Sequence, residues 1–176
     1  MATIAGVECR DGALLVADRV RTRGGRIVTR DAGHLVDLGA AGAASVGGDP
    51  DRFADELEAA VRSYRLERDG TGPRIDAFAR LTDDALGRDA AAVVAARDDD
   101  GRPRVRAVDG NGEVPADPVA VRGSGAALVL GGLDVAEPPA LDRAADAVAA
   151  AFAAAAERDP GTGADLDRYR LTPEGD

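Results

Sequence analysis

The chain is predicted to fold as an α+β protein in which two antiparallel β-sheets stack face to face between outer helices, a four-layer αββα sandwich. Apolar residues follow strand spacing near both ends and in the middle of the chain, and helical spacing in two separate regions. The predicted order is strands, two helices, strands, two helices and a final strand, which favours antiparallel sheets flanked by segregated helices. The length of 176 residues suits a single domain covering residues 1–176.

The strands are predicted from short apolar runs bounded by turn residues. A glycine-containing turn at residues 10–12 joins the first two runs as a hairpin, and an acidic turn at residues 98–101 joins another pair. A polar turn is expected through residues 23–25. The predicted strands cover residues 3–8, 13–18, 26–29, 34–38, 40–45, 91–97, 103–108, 119–122 and 166–171.

The helices are predicted from apolar residues at helical spacing and from their start signals. Asp49 is a suitable N-cap, and Pro50 suits the first helical position because its missing N–H is not needed there. The last helix has a narrow face of small and apolar residues, on which we expect Val148 and Phe152 to be buried. The predicted helical segments cover residues 50–67, 75–86, 126–133 and 140–157.

The composition is acidic, with 22 basic residues, all arginine, against 32 acidic ones, for a net charge of −10. Such a surface suits a high-salt cytoplasm, where screening offsets self-repulsion, but codon bias in a GC-rich genome explains the composition equally well. The basic residues are interpreted as unclustered, so nucleic acid is not an expected partner.

The single cysteine, Cys9, allows no internal disulfide and no four-cysteine metal site, and it is interpreted as a small buried hydrophobe. The chain start lacks the pattern of a secretory signal, and the alanine-rich run at 147–156 is too short to span a bilayer. The acidic turn at 98–101 is interpreted as solvated and not as a calcium loop. We expect a cytoplasmic protein with no cofactor, no metal and no membrane contact.

Four segments together resemble one protein family. Residues 6–19, which read Gly-Val-Glu-Cys-Arg-Asp-Gly-Ala-Leu-Leu-Val-Ala-Asp-Arg, closely resemble the opening of β-type proteasome subunits, members of the N-terminal nucleophile hydrolases. Residues 44–49, 123–125 and 158–163 recur in the family's order at nearly its spacing. The resemblance therefore covers essentially the whole chain, and it implies the αββα fold and assembly into rings with proteasome α- and β-type subunits.

The resemblance also implies a site. In the family an N-terminal threonine supplies the attacking hydroxyl and its own amine moves the proton, supported by an aspartate, a lysine and an oxyanion-binding N–H. In this chain Ala2 takes the threonine position and His34 the lysine position, and His34 is positively charged only if an acid raises its pKa. The other implied site positions are Asp18, Ser124, Asp159, Thr162 in place of a second serine, and Ala44 as the oxyanion-binding position.

Because a methyl group cannot attack a carbonyl, the favoured hypothesis is a non-catalytic structural or regulatory subunit of a ring-shaped proteolytic core. Met1 is expected to be removed before the small residue Ala2. The alternative is an active threonine peptidase or amidase after trimming exposes Thr3, although a one-residue slip along a strand turns a side chain to the opposite face. A third possibility is a homomeric ring unrelated to proteolysis, such as a storage or binding shell.

Overall fold

The computed structural model describes residues 1–111, 115–133 and 137–174. Within these residues the helices are α1 (Pro50–Leu66), α2 (Ile75–Ala85), α3 (Ala126–Gly132) and α4 (Leu141–Ala156). The strands are β1 (Thr3–Cys9), β2 (Gly12–Asp18), β3 (Arg21–Arg23), β4 (Arg26–Thr29), β5 (Leu35–Asp37), β6 (Ala41–Val46), β7 (Ala91–Arg97), β8 (Pro103–Val108), β9 (Val119–Gly123) and β10 (Leu166–Leu171).

The strands form two four-stranded sheets and one separate hairpin. The first sheet has the order β10-β2-β1-β9, the second has the order β5-β6-β7-β8, and β3 pairs only with β4. Every neighbouring pair is antiparallel, and the tight turn after β1 pairs Cys9 with Gly12, as the hairpin prediction requires.

Alternation along the strands separates the layers, because successive side chains of a strand point to opposite faces of its sheet. Ile4 of β1 belongs to a buried cluster between the two sheets, whereas Ala5 belongs to a cluster that joins the first sheet to α3 and α4. A third buried cluster joins the second sheet to α1 and α2. The order is helices, sheet, sheet, helices, so the αββα prediction is confirmed.

Two helix predictions are also confirmed. Asp49 caps α1, because its Oδ1 accepts the backbone N–H of Asp51 at 3.1 Å and that of Arg52 at 3.4 Å. Val148 and Phe152 of α4 are fully buried.

In contrast to the expectation of a buried side chain, Cys9 is only half-buried, and burial raises the pKa of its thiol to about 11. Among the described residues, none of the helices has the length and apolar character needed to cross a membrane.

The β3–β4 hairpin corrects two expectations. Residue 23 was expected in the polar turn through residues 23–25, but residues 21–23 form a strand, and the turn is Gly24-Gly25 with φ of +56° and +75°. Two successive positive φ angles fit the hairpin turn that matches strand twist, and glycine adopts them without steric cost. The hairpin also gathers arginines on one element, so the interpretation of the basic residues as unclustered is wrong.

Tyr169 of β10 connects the two sheets. Its hydroxyl donates a hydrogen bond to the backbone oxygen of Gly39 at 2.8 Å, in the turn between β5 and β6. Its ring lies directly on Gly42 of β6, where an added Cβ would stand 2.7 Å from the ring atom Cδ1. The sheets therefore approach closely here only because residue 42 lacks a side chain.

We predict that Gly42→Ala destabilises the protein by about 1 to 3 kcal/mol, because the new methyl group overpacks the space occupied by the Tyr169 ring. The free energy of unfolding from urea denaturation measures this effect. Gly33→Ala is the matched control, since a Cβ there meets no atom within 4 Å, and its stability should stay close to that of the unchanged chain. Equal stability of the two variants would contradict the packing argument.

Candidate functional site

The residues implied by the resemblance come from distant parts of the chain and meet at one end of the sandwich. Thr3 begins β1 and pairs with Gly123 at the end of β9, while Asp18 ends β2 and pairs with Leu166 at the start of β10. The remaining positions lie just before β5, in β6, after β9, and between α4 and β10; these are His34, Ala44, Ser124, Asp159 and Thr162.

The carboxylate of Asp18 is the centre of this arrangement. It is fully buried, and its Oδ2 accepts the backbone N–H groups of Thr3 and Gly163, each at 3.0 Å. Its Oδ1 accepts the N–H of Val20 at 2.9 Å. Burial raises the pKa of Asp18, and these three N–H donors oppose that rise by favouring the ionised form. Asp18 thus ties together the start of β1, the end of β2 and the approach to β10.

The hydroxyl of Thr3 belongs to a buried chain of hydrogen bonds. Thr3 Oγ1 accepts the backbone N–H of Gly125 at 2.9 Å and lies 2.7 Å from the Oγ1 of Thr162. Thr162 Oγ1 lies in turn 2.7 Å from Oδ2 of Asp159. Thr3 itself has no solvent exposure. Its hydroxyl is therefore enclosed and held on both sides.

The direction of this chain follows from the charge of Asp159. Burial acts to raise the pKa of Asp159, but hydrogen bonds from the hydroxyl of Thr162 and from the N–H of Gly161 lower it overall. An ionised carboxylate can only accept, so Thr162 donates to Asp159 and Thr3 donates to Thr162. The single hydroxyl proton of Thr3 is thereby committed inside the structure.

Ala2 and Thr3 occupy opposite faces at the start of the first sheet. Ala2 is 2% exposed and belongs to the inter-sheet cluster that also contains Ile4 and Ala44. Thr3 is directed to the other face, toward Gly125 and Thr162. Neighbouring residues of a strand are expected to point to opposite faces of the sheet, and Ala2 and Thr3 do so.

His34 lies beside Asp18 on the segment that leads into β5. Its Nε2 donates to the backbone oxygen of Val20 at 3.1 Å, and Nδ1 is buried without a hydrogen-bond partner among the described residues. Burial lowers the pKa of His34 below its ordinary value of 6.5, although the Val20 carbonyl and Asp18 act in the opposite direction. The condition for a positive charge, a pKa raised by an acid, is not met, because desolvation outweighs the attraction of Asp18.

Ser124 holds the first residues of the chain. Its hydroxyl donates to the backbone oxygen of Met1 at 2.6 Å, and its N–H donates to the oxygen of Ala2 at 3.3 Å. The amino group of Met1 donates to the hydroxyl of Thr22 in β3. The chain start is thus fixed between the segment after β9 and the β3–β4 hairpin.

Ala44, the implied oxyanion-binding position, lies within the second sheet. It is fully buried in β6, where it is paired with Leu35 of β5 on one side and with Val93 of β7 on the other. Its side chain joins the same inter-sheet cluster as Ala2. The arrangement brings Ala44 and Ala2 to one apolar space, while Thr3 is directed away from it.

Sequence reasoning assigned no role to three residues that the site depends on, which are Gly125, Gly163 and Thr22, although the two glycines lie in segments that carry the resemblance. At Gly125 a Cβ would overlap the Thr162 hydroxyl, and at Gly163 it would stand 2.8 Å from a methyl group of Val20. Their glycine identity was the available signal, because glycine permits close approach of backbone to neighbouring atoms. Gly125 and Thr3 are 122 positions apart, so local sequence patterns do not reveal their contact.

The described part of the chain contains no group of three or more histidine, cysteine, aspartate or glutamate side chains placed to hold a metal ion. The chemistry available at the site comes from the hydroxyls of Thr3, Thr162 and Ser124, two carboxylates and a neutral imidazole.

Comparison with known proteins gives one family match. A family model described as proteasome subunit matches residues 2–170, which is nearly the full length of the chain. Comparison with curated proteins finds no match.

We predict that Asp18→Asn lowers the free energy of unfolding by about 2 kcal/mol or more, because an amide presents N–H groups to backbone donors that need an acceptor. Chemical denaturation measures the loss. Asp31→Asn is the control, since the Asp31 side chain is 79% exposed and its ion pair with Arg19 contributes about 1 kcal/mol or less. A loss no greater than that of the control would contradict the role given to Asp18.

We also predict that His34 makes stability depend on pH. A group whose pKa is lowered by folding stabilises the native state above its unfolded pKa, near 6.5, and this contribution is lost as the pH falls through the folded value. The free energy of unfolding should therefore fall more steeply below pH 6.5 for the unchanged chain than for His34→Gln. His34 is the only histidine, so NMR titration of its ring assigns the pKa directly, and a value above 6.5 would refute the prediction.

Proposed function

Because the chain belongs to the proteasome subunit family, we propose that it is a non-catalytic β-type subunit with a structural or regulatory role in a ring-shaped proteolytic core. Members of this family assemble into multisubunit rings. The proposed partners are proteasome α- and β-type subunits, and the proposed location is the cytoplasm, which the single cysteine of the chain favours.

The observation that carries the proposal is that Ala2, just before β1, and Thr3, the first residue of β1, point to opposite faces of the first sheet. The side chain at the implied nucleophile position is the methyl group of Ala2, buried between the sheets beside Ala44. A methyl group has no lone pair with which to attack a carbonyl carbon. The hydroxyl of the next residue, Thr3, lies on the opposite face of the first sheet.

Three features of Thr3 weigh against its use as a nucleophile in this arrangement. It is inaccessible to solvent, its proton is directed through Thr162 to Asp159, and its nitrogen is a strand amide that donates to Asp18. The low pKa of Asp159 also makes its carboxylate a weak base for removing that proton. For Thr3 to act, β1 would have to leave its pairing with β9 and rearrange.

The electrostatics of the site support the same proposal. A nucleophile of this kind is assisted by a neighbouring positive charge, which stabilises the deprotonated form. The group at the implied lysine position is His34, whose buried imidazole is neutral near pH 7 because burial lowers its pKa. The two implied positions, Ala2 and His34, therefore supply neither an attacking hydroxyl nor a permanent cation.

The test is whether the purified chain turns over peptides. We expect no peptidase turnover above the uncatalysed rate, and no covalent labelling by electrophiles directed at N-terminal threonine, such as epoxyketones and β-lactones. Intact-mass analysis of the N-terminus runs in parallel. Labelling at Thr3 after loss of the preceding residues would overturn the proposal and establish the threonine peptidase alternative.

The informative control restores the missing groups. The double variant Ala2→Thr with His34→Lys is produced as a cleavable fusion that releases the new threonine at the N-terminus, and it should react with the same electrophiles to a greater extent than the unchanged chain. Ala2→Thr with His34 unchanged, released in the same way, separates the contribution of the hydroxyl from that of the cation. Copurification with α-type subunits, measured by native mass spectrometry, tests the structural role independently of turnover.

A further inference from the structure

A cleft of about 640 Å³ lies at the end of the sandwich opposite to the candidate site. The candidate site is built around Thr3, the first residue of β1, whereas Glu8 and Cys9 at the end of the same strand line the cleft. At about 3.3 Å per residue, the strand from Thr3 to Cys9 separates the two places by about 20 Å. The cleft is therefore a separate feature of the molecule, and its volume suits a small ligand.

Distant parts of the chain form the walls of this cleft. They include the turn between β1 and β2, the start of β8, the segment before α4 and the chain after β10, which contribute Arg10, Arg102, Glu137 and Pro173. Arg104 of β8 also lines the cleft. Three arginines thus surround one cavity in a chain whose net charge is −10.

The charges of Glu8 and Arg104 are compensated within the protein. Glu8 Oε1 accepts the backbone N–H of Val105 at 2.9 Å, and its Oε2 lies 3.3 Å from Nη1 of Arg104. Arg104 Nε donates to Oδ2 of Asp98 at 2.8 Å, and Nη1 of Arg106 lies 3.7 Å from Glu8 Oε1. Positive and negative groups alternate in this network, so neither Glu8 nor Arg104 needs a ligand to balance its charge.

Arg10 and Arg102 have fixed backbones and unpaired side chains. The N–H of Arg10 donates to the oxygen of Pro139 at 3.0 Å, and the N–H of Arg102 donates to Oδ1 of Asp98 at 2.9 Å. Both residues are exposed, and among the described residues neither guanidinium has an acidic group within ion-pair distance. Two anchored positions therefore present uncompensated positive charges to the same cleft.

We propose that this cleft binds a small organic anion carrying two or more phosphate or carboxylate charges, with Arg10 and Arg102 as the residues that bind its charged groups. A guanidinium group binds either kind of oxyanion through parallel N–H donors. Pro138 and Pro173 provide apolar walls for the carbon skeleton of the ligand. The cleft contains none of the residues that the resemblance links to catalysis, so this inference goes beyond the proposed function and does not depend on it.

Glu137 limits the positive charge of the cleft. It is exposed, lines the same cavity and has no ion pair among the described residues. Its carboxylate repels an anion that approaches Arg10 and Arg102, because like charges in one cleft raise the free energy of the complex. Loss of this carboxylate should therefore change anion affinity in the direction opposite to loss of the arginines.

The test measures binding of pyrophosphate and of citrate to the full chain by isothermal titration calorimetry at low ionic strength, where screening is weak. We expect at least one of the two probes to bind once per chain. The double variant Arg10→Gln with Arg102→Gln should weaken that binding about tenfold or more. Arg80→Gln with Arg88→Gln is the matched control and should bind like the unchanged chain, because it removes two exposed arginine charges that lie outside the cleft.

A second pair of variants tests the sign of the charge effect. Glu137→Gln should strengthen binding of the same probe about threefold, because it removes the repulsive carboxylate from the cleft. Glu157→Gln removes an equal charge from an exposed position outside the cleft and should leave the affinity unchanged. Circular dichroism confirms folding of every variant, so that lost binding is not mistaken for unfolding.

The single cysteine of the chain reports where the probe binds. Cys9 lines the cleft and is half-buried. A bound anion covers the thiol and disfavours its thiolate form, so a saturating concentration of the probe should slow alkylation of Cys9 by iodoacetamide. Intact-mass analysis measures the rate of this reaction.

Several outcomes would overturn the proposal. They are the failure of both probes to bind, a double arginine variant that binds like the unchanged chain, a control that loses as much affinity, and an alkylation rate that the bound probe leaves unchanged. Binding of pyrophosphate alone or of citrate alone supports the proposal and identifies phosphate or carboxylate as the recognised group. None of these results depends on peptidase turnover or on other subunits, so they are distinguishable from failure of the proposed function.

Discussion

The buried carboxylate of Asp18 is the constraint on which the site depends. A charge removed from water needs hydrogen-bond donors, and here three backbone N–H groups supply them from Thr3, Val20 and Gly163. These donors belong to segments far apart in the chain, so satisfying one carboxylate fixes the start of β1, the exit from β2 and the entry to β10 at once. The position of each neighbouring hydroxyl and imidazole follows from that junction.

A second set of polar groups extends from the junction. The chain from Gly125 through Thr3 and Thr162 ends on Asp159, whose ionised carboxylate gives every hydroxyl in it a defined direction. Such a chain stabilises the fold because no member is left without a partner, and for the same reason the hydroxyl proton of Thr3 is already used in a hydrogen bond. These hydrogen bonds support a structural role for the residues of this hydrogen-bonded chain. The resemblance implies that residues at the corresponding positions of related subunits take part in catalysis.

The electrostatics of the molecule act on two length scales. Across the whole chain the excess of acidic residues makes copies repel, an effect that salt screens over about 10 Å at moderate ionic strength. Locally, the β3–β4 hairpin holds arginines and the exposed side chains of Ile27 and Val28 in a segment without acidic residues. The hairpin also contacts the candidate site, because Thr22 of β3 accepts a hydrogen bond from the amino group of Met1.

The sequence by itself determined the four layers, the bounds of most elements, the cap Asp49 and the opposite facing of Ala2 and Thr3, because periodicity and local hydrogen bonding decide these features over a few residues. Strand β3 was not predicted from the sequence, because its alternating arginine and threonine residues give no apolar signal. Tertiary structure alone decided that Gly125 and Gly163 donate to Thr3 and Asp18, because their partners lie more than a hundred positions away. It also decided the state of His34: desolvation exceeds the attraction of Asp18, and the extent of burial exists only once the sheets have packed.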